Sequence, residues 1–506
     1  MSSSILRSAL RLRQSSSSRP ARLRASPPCR RNVRYNSSAV GRILDPTPKQ
    51  ELYTLSEIDK LTKSISESSF GPVHHPSPLV MRALPAPWLS SHSPDLATQG
   101  GATPSTSIEE SQTETLEPFS EEELLKPKHM SESFTSFDLP LASDKTLYER
   151  YVNASGGFRM GKLLEHLDSL AGAVAYRHCL PKGKDTDPNK APKDFHETSA
   201  RAGLYLATAS ADRLDIFGRL NRENVRDLKF SGFVTWTGRS SLEVVVKMEG
   251  HRPSQEPGVY KTLMLGRFAM VCRDSKTHKA RQIPKLLVEN EEEKTLWAIG
   301  EEHQKRRKTS AMNSLDKVPP SPEEAQELHK LMLEVSTAEE IDGEKVVHMH
   351  DTELQTVQLM FPQDRNLHGK VFGGILMRLL CFTNAALFSG APMRFQALDQ
   401  ITFRLPVPIG AVLRLSSKVV KTTRPRDGPD GEAKAHIVVR AEVEEVDTGV
   451  RRETNTFFFT MAKEDDQPIG RTVIPSTYQE AMQYLEGERR LHVGNEMRSL
   501  YRGKSQ

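Results

Sequence analysis

The chain carries one pattern twice. Displacing the second half by 213 residues sets Asn366 on Asn153, Gly374 on Gly161, Leu380 on Leu167 and Cys381 on Asp168. Beyond the helix that these positions imply, the displacement becomes 187, which sets Asp399 on Asp212 and Phe403 on Ile216. The difference of 26 residues is taken up by the longer polar loop 181–201 of the first copy. Repetition over this length is the mark of one supersecondary unit used twice, so any fold for the chain has to hold two similar units.

Each unit reads as a loop, a helix and then strands. In the first, Leu163, Leu164, Leu167, Leu170, Ala171, Val174 and Ala175 recur at helical spacing within 162–180. In the second, a loop punctuated by Asn366, His368 and Gly369 runs through Gly373 and Gly374 into an apolar helix that stops at Gly390. That helix is apolar nearly all round, which predicts burial on most sides, and it is too short to span a membrane. Strand-like runs follow at 204–216, 227–237, 241–248 and 260–273, and again at 395–405, 412–423, 435–446 and 454–462, with 352–361 alternating ahead of the second loop. A helix followed by several consecutive strands predicts an α+β fold with an antiparallel sheet.

The remaining stretches set the expected boundaries. Ten arginines, no lysine and many serines precede the first acid, Asp45, which is the composition of a mitochondrial transit peptide, assigned to 1–35 with a soft cut near Arg34 and Tyr35. Residues 36–128 are rich in Ser and Pro and are expected to be mostly disordered. The first unit is placed at 129–288. A charged linker and a bridging helix, capped by Ser321 with Glu324, are placed at 289–345. The second unit takes 346–475, and a C-terminal helix and tail, capped by Ser476 with Gln479, take 476–506.

Charge narrows the partners. The chain of 506 residues has a net charge of +5, but removing 1–35 deletes nine arginines and no acid, leaving 5 − 9 = −4. Basicity is then no argument for nucleic acid. No run of eighteen apolar residues marks a membrane span. Four scattered cysteines, Cys29, Cys179, Cys272 and Cys381, argue against structural zinc and a disulfide framework. His348 and His350 alternate without further nearby ligands, so no metal site is expected. Arg239, Lys421, Arg424 and Arg426 lie near strand ends and turns and are the candidates for anionic phosphate contacts, with solvated loop charge as the ordinary alternative.

Asp168 stands out because it shares a helix face with Leu164, Ala171 and Ala175. A carboxylate on a buried stripe needs partners or a task. The copies differ here: the first has the acid and the second has Cys381, while the second has the fuller glycine loop. If the copies pair about a pseudo-twofold axis, Asp168 faces the Asn366 loop, Cys381 faces Asn153, and each chain has one complete set. Asp212 and Asp399 recur at the same place, which suggests a structural bond at a strand.

The stretches FRMGKLLEHLDSL, DLKFSGFVTWTGRSSLEV, FAMVCRDS, QDRNLHGKVFGGILMR, ALDQITFRLPVPIGAVLRLSS and YQEAMQYLEGERR resemble the acyl-CoA thioesterases with tandem HotDog domains, and within them the mitochondrial acyl-coenzyme A thioesterase 9-like branch. The resemblance covers roughly 130–490 and implies two HotDog domains, each a long helix wrapped by an antiparallel sheet, forming an intrachain pseudo-dimer. It implies hydrolysis of acyl-CoA to a free carboxylic acid and CoA in mitochondria, in the matrix, and assembly as a trimer of double-HotDog chains. The family's catalytic asparagine matches Asn366 and its helix aspartate matches Asp168. In that reading Asp168 serves as base to water and Asn366 orients the water. Backbone N–H groups at Gly373 and Gly374 hold the developing oxyanion, and His368 and Gly369 line the site. No cofactor is expected beyond the CoA of substrate and product. The competing reading is a noncatalytic acyl-CoA-binding or assembly module that keeps the fold. A HotDog hydratase is disfavoured because LDSLAGAV lacks a histidine paired with the helix acid, and no G-x-S-x-G elbow marks a serine hydrolase.

Overall fold

Alternating apolar and polar residues, rich in β-branched and aromatic types, form the strands of the first copy. They are β1 Thr135–Leu139, β2 Leu204–Ala211, β3 Leu214–Ile216, β4 Asp227–Thr237, β5 Ser241–His251 and β6 Lys261–Asp274. The second copy repeats them as β7 Leu354–Leu359, β8 Met393–Leu398, β9 Ile401–Thr402, β10 Val412–Thr423, β11 Lys434–Glu444 and β12 Arg451–Lys463. The computed structural model describes Ile58, Leu61 and residues 118–504 apart from 154–155, 182–194, 219, 221–223, 253–258, 311–314, 316–317, 336–337, 342, 362–380, 400, 428–430 and 466. All of these belong to one of the chain's two units, residues 40–506.

Among the described residues the twelve strands make one antiparallel sheet, in the order β7-β10-β11-β12-β8-β3-β6-β5-β4-β1, with β2 lying between β6 and β9. The two copies meet through reciprocal pairs. Ser210 and Ala211 of β2 face Thr402 and Ile401 of β9, while Leu214 and Asp215 of β3 face Leu398 and Ala397 of β8. Adding 187 turns the first set of partners into the second, so the same surface is used from both sides, as at an isologous interface.

The sheet is accompanied by the helices α1 Met160–Cys179, α2 Glu291–Ser310, α3 Pro322–Val335, α4 Cys381–Ser389 and α5 Tyr478–Lys504. One face of the first copy's sheet carries α1. Gly232 of β4 lies under it, where a Cβ would press on Val174 of α1 and on the Val245 carbonyl, so glycine lets the helix approach. The register slips between Val234 and Trp236, and this bulge turns Trp236 to the opposite face. There its ring sits against Gly300 of α2. Helix, sheet and helix thus form three layers in the first copy, which explains why β4 and β5 are buried along nearly their whole length.

The expected α+β class with an antiparallel sheet is present, and three local expectations are corrected. The charged stretch 289–310, read as a solvated linker, is the helix α2, since its charge hides an apolar strip with Leu296 buried and Trp297 packed on the core. Its cap is Asn290, whose Oδ1 accepts from Glu293 N at 2.8 Å, while Glu293 Oε2 accepts from Glu289 N at 2.8 Å. Helix α5 is capped by Thr477 with Glu480 rather than by Ser476 with Gln479: Thr477 Oγ1 accepts from Glu480 N at 3.2 Å and Glu480 Oε2 from Ser476 N at 2.8 Å. These caps correspond at a displacement of 187, so the repeat includes the outer helix of each copy.

The third correction concerns burial, in helix α4. Helix α4, expected to be buried on most sides, leaves Leu387 64% exposed, and its Asn384 is buried with its amide donating to Ser417 Oγ at 2.7 Å and to the Thr352 carbonyl at 3.2 Å. Most of 36–128, placed as mostly disordered, lies outside the described residues; within it Ile58 and Leu61 are buried in the main core, and Glu121–Leu124 forms a capped turn. The Ser321 cap of α3 forms with Glu324, and its Leu328 packs on Ala481, Met482 and Leu485 of α5.

Three histidines lie in these packed layers. His166 accepts or donates to Tyr151 OH at 2.7 Å, His178 bonds the Pro284 carbonyl at 3.1 Å, and His436 bonds Thr460 Oγ1 at 3.1 Å. Burial pushes His166 and His178 down to about 4 and His436 well below its ordinary value, with Arg490 and Arg213 adding to the last. All three stay neutral when folded, whereas the unfolded chain takes up protons near pH 6.5. Their contribution is complete above that value and is lost as pH falls from about 6.5 towards about 4, by up to about 1.4 kcal/mol per pH unit for each histidine. Urea unfolding at pH 7, 6 and 5 should show this decline, and His178→Gln should reduce its slope by about one proton.

Candidate functional site

Asp168 is buried on α1, and Thr208 Oγ1 of β2 donates to its Oδ1 at 3.0 Å. The strand brings Thr208 there because β2 carries a bulge at Ala209, where the register against β6 slips between Thr208 and Ser210. The freed Ala209 carbonyl accepts from Phe403 N of the second copy at 2.9 Å. The acid and its hydroxyl therefore sit beside the seam between the copies. A bulge next to a site that re-aims a side chain is a recurring device.

The second copy has the same bulge and lacks the same chemistry. Its β8 slips between Phe395 and Ala397, so the residue corresponding to Thr208 at a displacement of 187 is Phe395. Cys381 already stands in place of Asp168, so both members of the acid–hydroxyl pair are replaced together. The loop of the first copy is closed on itself: Asn153 Oδ1 accepts from Gly157 N at 2.8 Å and Asn153 N donates to Gly157 O at 2.8 Å, around Gly156 at φ +86°. Its amide oxygen thus serves as an anchor within the loop.

The other candidates fall into two groups. Asn366, His368, Gly369, Gly373 and Gly374 lie outside the described residues. Of the phosphate candidates, Arg239 is exposed next to the β4–β5 turn, and Arg424 Nε is held by Asp427 Oδ2 at 3.0 Å. Arg426 lies in the short turn Pro425–Asp427. Lys421 Nζ is bonded to Tyr484 OH at 2.5 Å, lies 3.3 Å from Glu488 and rests over the Tyr484 ring. Burial pulls its pKa down, yet Tyr484 and Glu488 hold it above the ordinary value. Lys421 thus fastens α5 to β10, and the structure does not bring these four basic residues together.

A charged group missed by sequence reading lies under α2. Arg307 NH1 and NH2 each reach Glu243 Oε2 at 3.0 Å, NH1 also reaches Asp212 Oδ2 at 3.1 Å, and His303 Nδ1 lies 3.2 Å from Glu243 Oε1. Burial opposes the charge on Glu243, but His303, Arg307 and Arg267 hold its carboxyl down to about 2. Asp212, Glu243 and His303 have ligand atoms close enough for a cation, but the guanidinium of Arg307 already bridges the two acids and supplies the positive charge. The signal was visible as a lone Glu243 in the apolar run LEVVV, an acid with no obvious partner nearby in sequence.

His348 and His350, for which no metal was expected, stack on one another at 5.5 Å; His348 Nδ1 bonds Ser476 Oγ at 2.8 Å and His350 Nδ1 lies 3.8 Å from Glu480.

Comparison with known proteins places this arrangement in a class. No protein-family model matches the chain. The mouse mitochondrial acyl-coenzyme A thioesterase 9 is 32% identical over 377 residues, 73% of this chain and 79% of its own length. A hop protein, the mitochondrial acyl-coenzyme A thioesterase 4 of Humulus lupulus, is 32% identical over 391 residues, 74% of this chain and 68% of its own length. Among solved structures, an acyl-CoA hydrolase from Staphylococcus aureus is 20% identical and aligns over 29% of this chain and 88% of its own, at a TM-score of 0.26. The chain belongs to the acyl-coenzyme A thioesterase family, on the branch of the mitochondrial acyl-coenzyme A thioesterase 9.

Because Lys421 is fully engaged inside the protein, Lys421→Met should lower stability by about 1–3 kcal/mol. The Michaelis constant for an acyl-CoA ester should stay unchanged. Chemical denaturation and steady-state kinetics on the same preparation check both halves of this expectation.

Proposed function

We propose that the chain hydrolyses acyl-CoA thioesters to a carboxylic acid and CoA, at one site per chain formed by Asp168 of the first copy and the Asn366 loop of the second. The observation that carries this reading is the buried Asp168–Thr208 pair beside the seam, together with its joint replacement by Cys381 and Phe395 in the other copy. A buried acid held by a neutral hydroxyl beside a seam is suited to take a proton from water.

In this mechanism Asp168 removes the proton as water adds to the thioester carbonyl. Asn366 aligns the water, and the Gly373 and Gly374 N–H groups receive the developing oxyanion. Collapse of the adduct breaks the carbon–sulfur bond, and CoA leaves as a thiolate that is protonated from the site. Thr208 holds the carboxylate in one orientation for this transfer. The reciprocal pairing of β2 with β9 and β3 with β8 supports the reading of two tandem HotDog units as an intrachain pseudo-dimer. Mitochondrial residence, in the matrix, is supported by the arginine-rich first 35 residues and by relatives named as mitochondrial. Assembly as a trimer of chains is proposed from the resemblance alone.

Thiol release followed with a chromogenic disulfide, on short-, medium- and long-chain acyl-CoAs, tests the proposal. Asp168→Asn and Asn366→Ala should each slow turnover about 100-fold or more while the thermal midpoint stays near that of the native protein. Rates close to native in both would sink the assignment, and stabilisation by CoA without thiol release would favour the noncatalytic module. Thr208→Val removes one hydrogen bond to a charged group and should reduce kcat about 10- to 100-fold.

A further inference from the structure

The outer helices α2 and α5 are equivalent at a displacement of 187, which brings the residues beneath them into register. Their capping groups correspond, as do the two glycines that let them close on the sheet, Gly300 over Trp236 and Gly487 over Lys421 and His436. Strand register makes the same match: Trp236 pairs with Glu243, and Lys421 pairs with His436. Asp212 and Asp399 then occupy the same place in the two copies, and the partner of Arg307 in α5 is Gly494.

In the first copy, Asp212 takes its cation from its own outer helix, through Arg307. In the second, α5 offers only Gly494 at that place, and the guanidinium beside Asp399 comes from across the seam. Arg213 NH1 pairs with Asp399 Oδ1, its Nε holds Asp215 Oδ2 at 2.6 Å, and its NH1 reaches the Arg490 carbonyl at 3.2 Å. A Cβ added to Gly494 would run into the Arg213 guanidinium. Arg213 has no basic counterpart, because position 400 is Gln400. Asp215 keeps a second partner in Arg498 NH1 at 2.8 Å, and Arg213, Asp215, Asp399 and Arg498 all have side chains less than one tenth exposed.

We infer that Arg213 and Gly494 form a cross-copy exchange that selects the unlike pairing of the two halves: the first copy brings a surplus guanidinium and the second an acid without a cation of its own. Two second copies facing each other would bury two Asp399 carboxylates against Gln400. Two first copies would set Arg213 against an Asp212 already neutralised by Arg307. Only the unlike pair leaves every buried acid matched and no buried guanidinium in surplus, and specificity of this kind rests on what the wrong pairings leave uncompensated. This inference does not depend on the catalytic assignment, since it concerns the seam and not the reaction.

Substitutions in the full-length chain test it, read by thermal unfolding at a fixed scan rate. Arg213→Gln should lower the midpoint by several degrees. Gly494→Ala should lower the midpoint in the native background, by crowding the guanidinium. In the Arg213→Gln background it should lower it much less, because the Arg213 guanidinium is gone and only Arg498 NH1 still crowds the added Cβ while alanine is the better helix former. Arg213→Gln combined with Gly494→Arg should recover most of the loss, by returning the cation to the outer helix. The inference is overturned if Arg213→Gln leaves the midpoint unchanged, or if Gly494→Ala acts with the same sign and size in both backgrounds. Should Arg213→Gln fail to fold, adding Asp399→Asn removes the orphaned charge and should restore folding; failure of that pair overturns the inference as well.

Discussion

The structure depends on a short set of backbone hydrogen bonds, those that join β2 to β9 and β3 to β8. They turn two six-stranded units into one sheet. Because a slip of one residue would turn every side chain to the other face, this pairing holds the seam in register. The bulge at Ala209 then converts one of those bonds into the placement of Thr208, and Thr208 into the placement of Asp168.

Beneath that seam lies a second constraint, electrostatic in nature. Asp212, Asp215, Glu243 and Asp399 are all removed from much or all of the solvent, and each has a guanidinium within hydrogen-bonding distance. Such groups contribute little net stability when satisfied but are costly when one member is lost. Their effect is therefore to penalise alternative arrangements. The outer helices matter for the same reason, since α2 carries Arg307 and α5 carries Arg498 to acids of the first copy.

Much of this was legible in the sequence. The repeat, the helix face holding Asp168 and the alternation of the strands follow from periodicity, which reports burial directly. The outer helix α2 was hidden because its exposed face is so densely charged that the strip around Leu296 and Trp297 did not register as amphipathic. Thr208 was hidden for a different reason: a bulge leaves no trace in apolar alternation, so a threonine in a strand gave no hint that its hydroxyl faces an acid forty residues earlier. The exchange between Arg213 and Gly494 needed three dimensions, since its members are far apart in sequence and the decisive residue is a glycine. For the candidate site, the acid was legible from its misplaced charge, while its hydroxyl partner and the closed Asn153 loop were not.

The two halves are joined by one continuous polypeptide between β6 and β7. Covalent connection makes their encounter unimolecular, with an effective concentration commonly in the millimolar range for a flexible tether. A dimer of separate subunits comes apart on dilution, but a seam within one chain does not obey that mass action. One half was thereby released from carrying a complete set of groups, since it could never be left to pair with its own kind at low concentration. The divergence of Cys381 and Phe395 from Asp168 and Thr208 is what such permanent, unequal partnership permits.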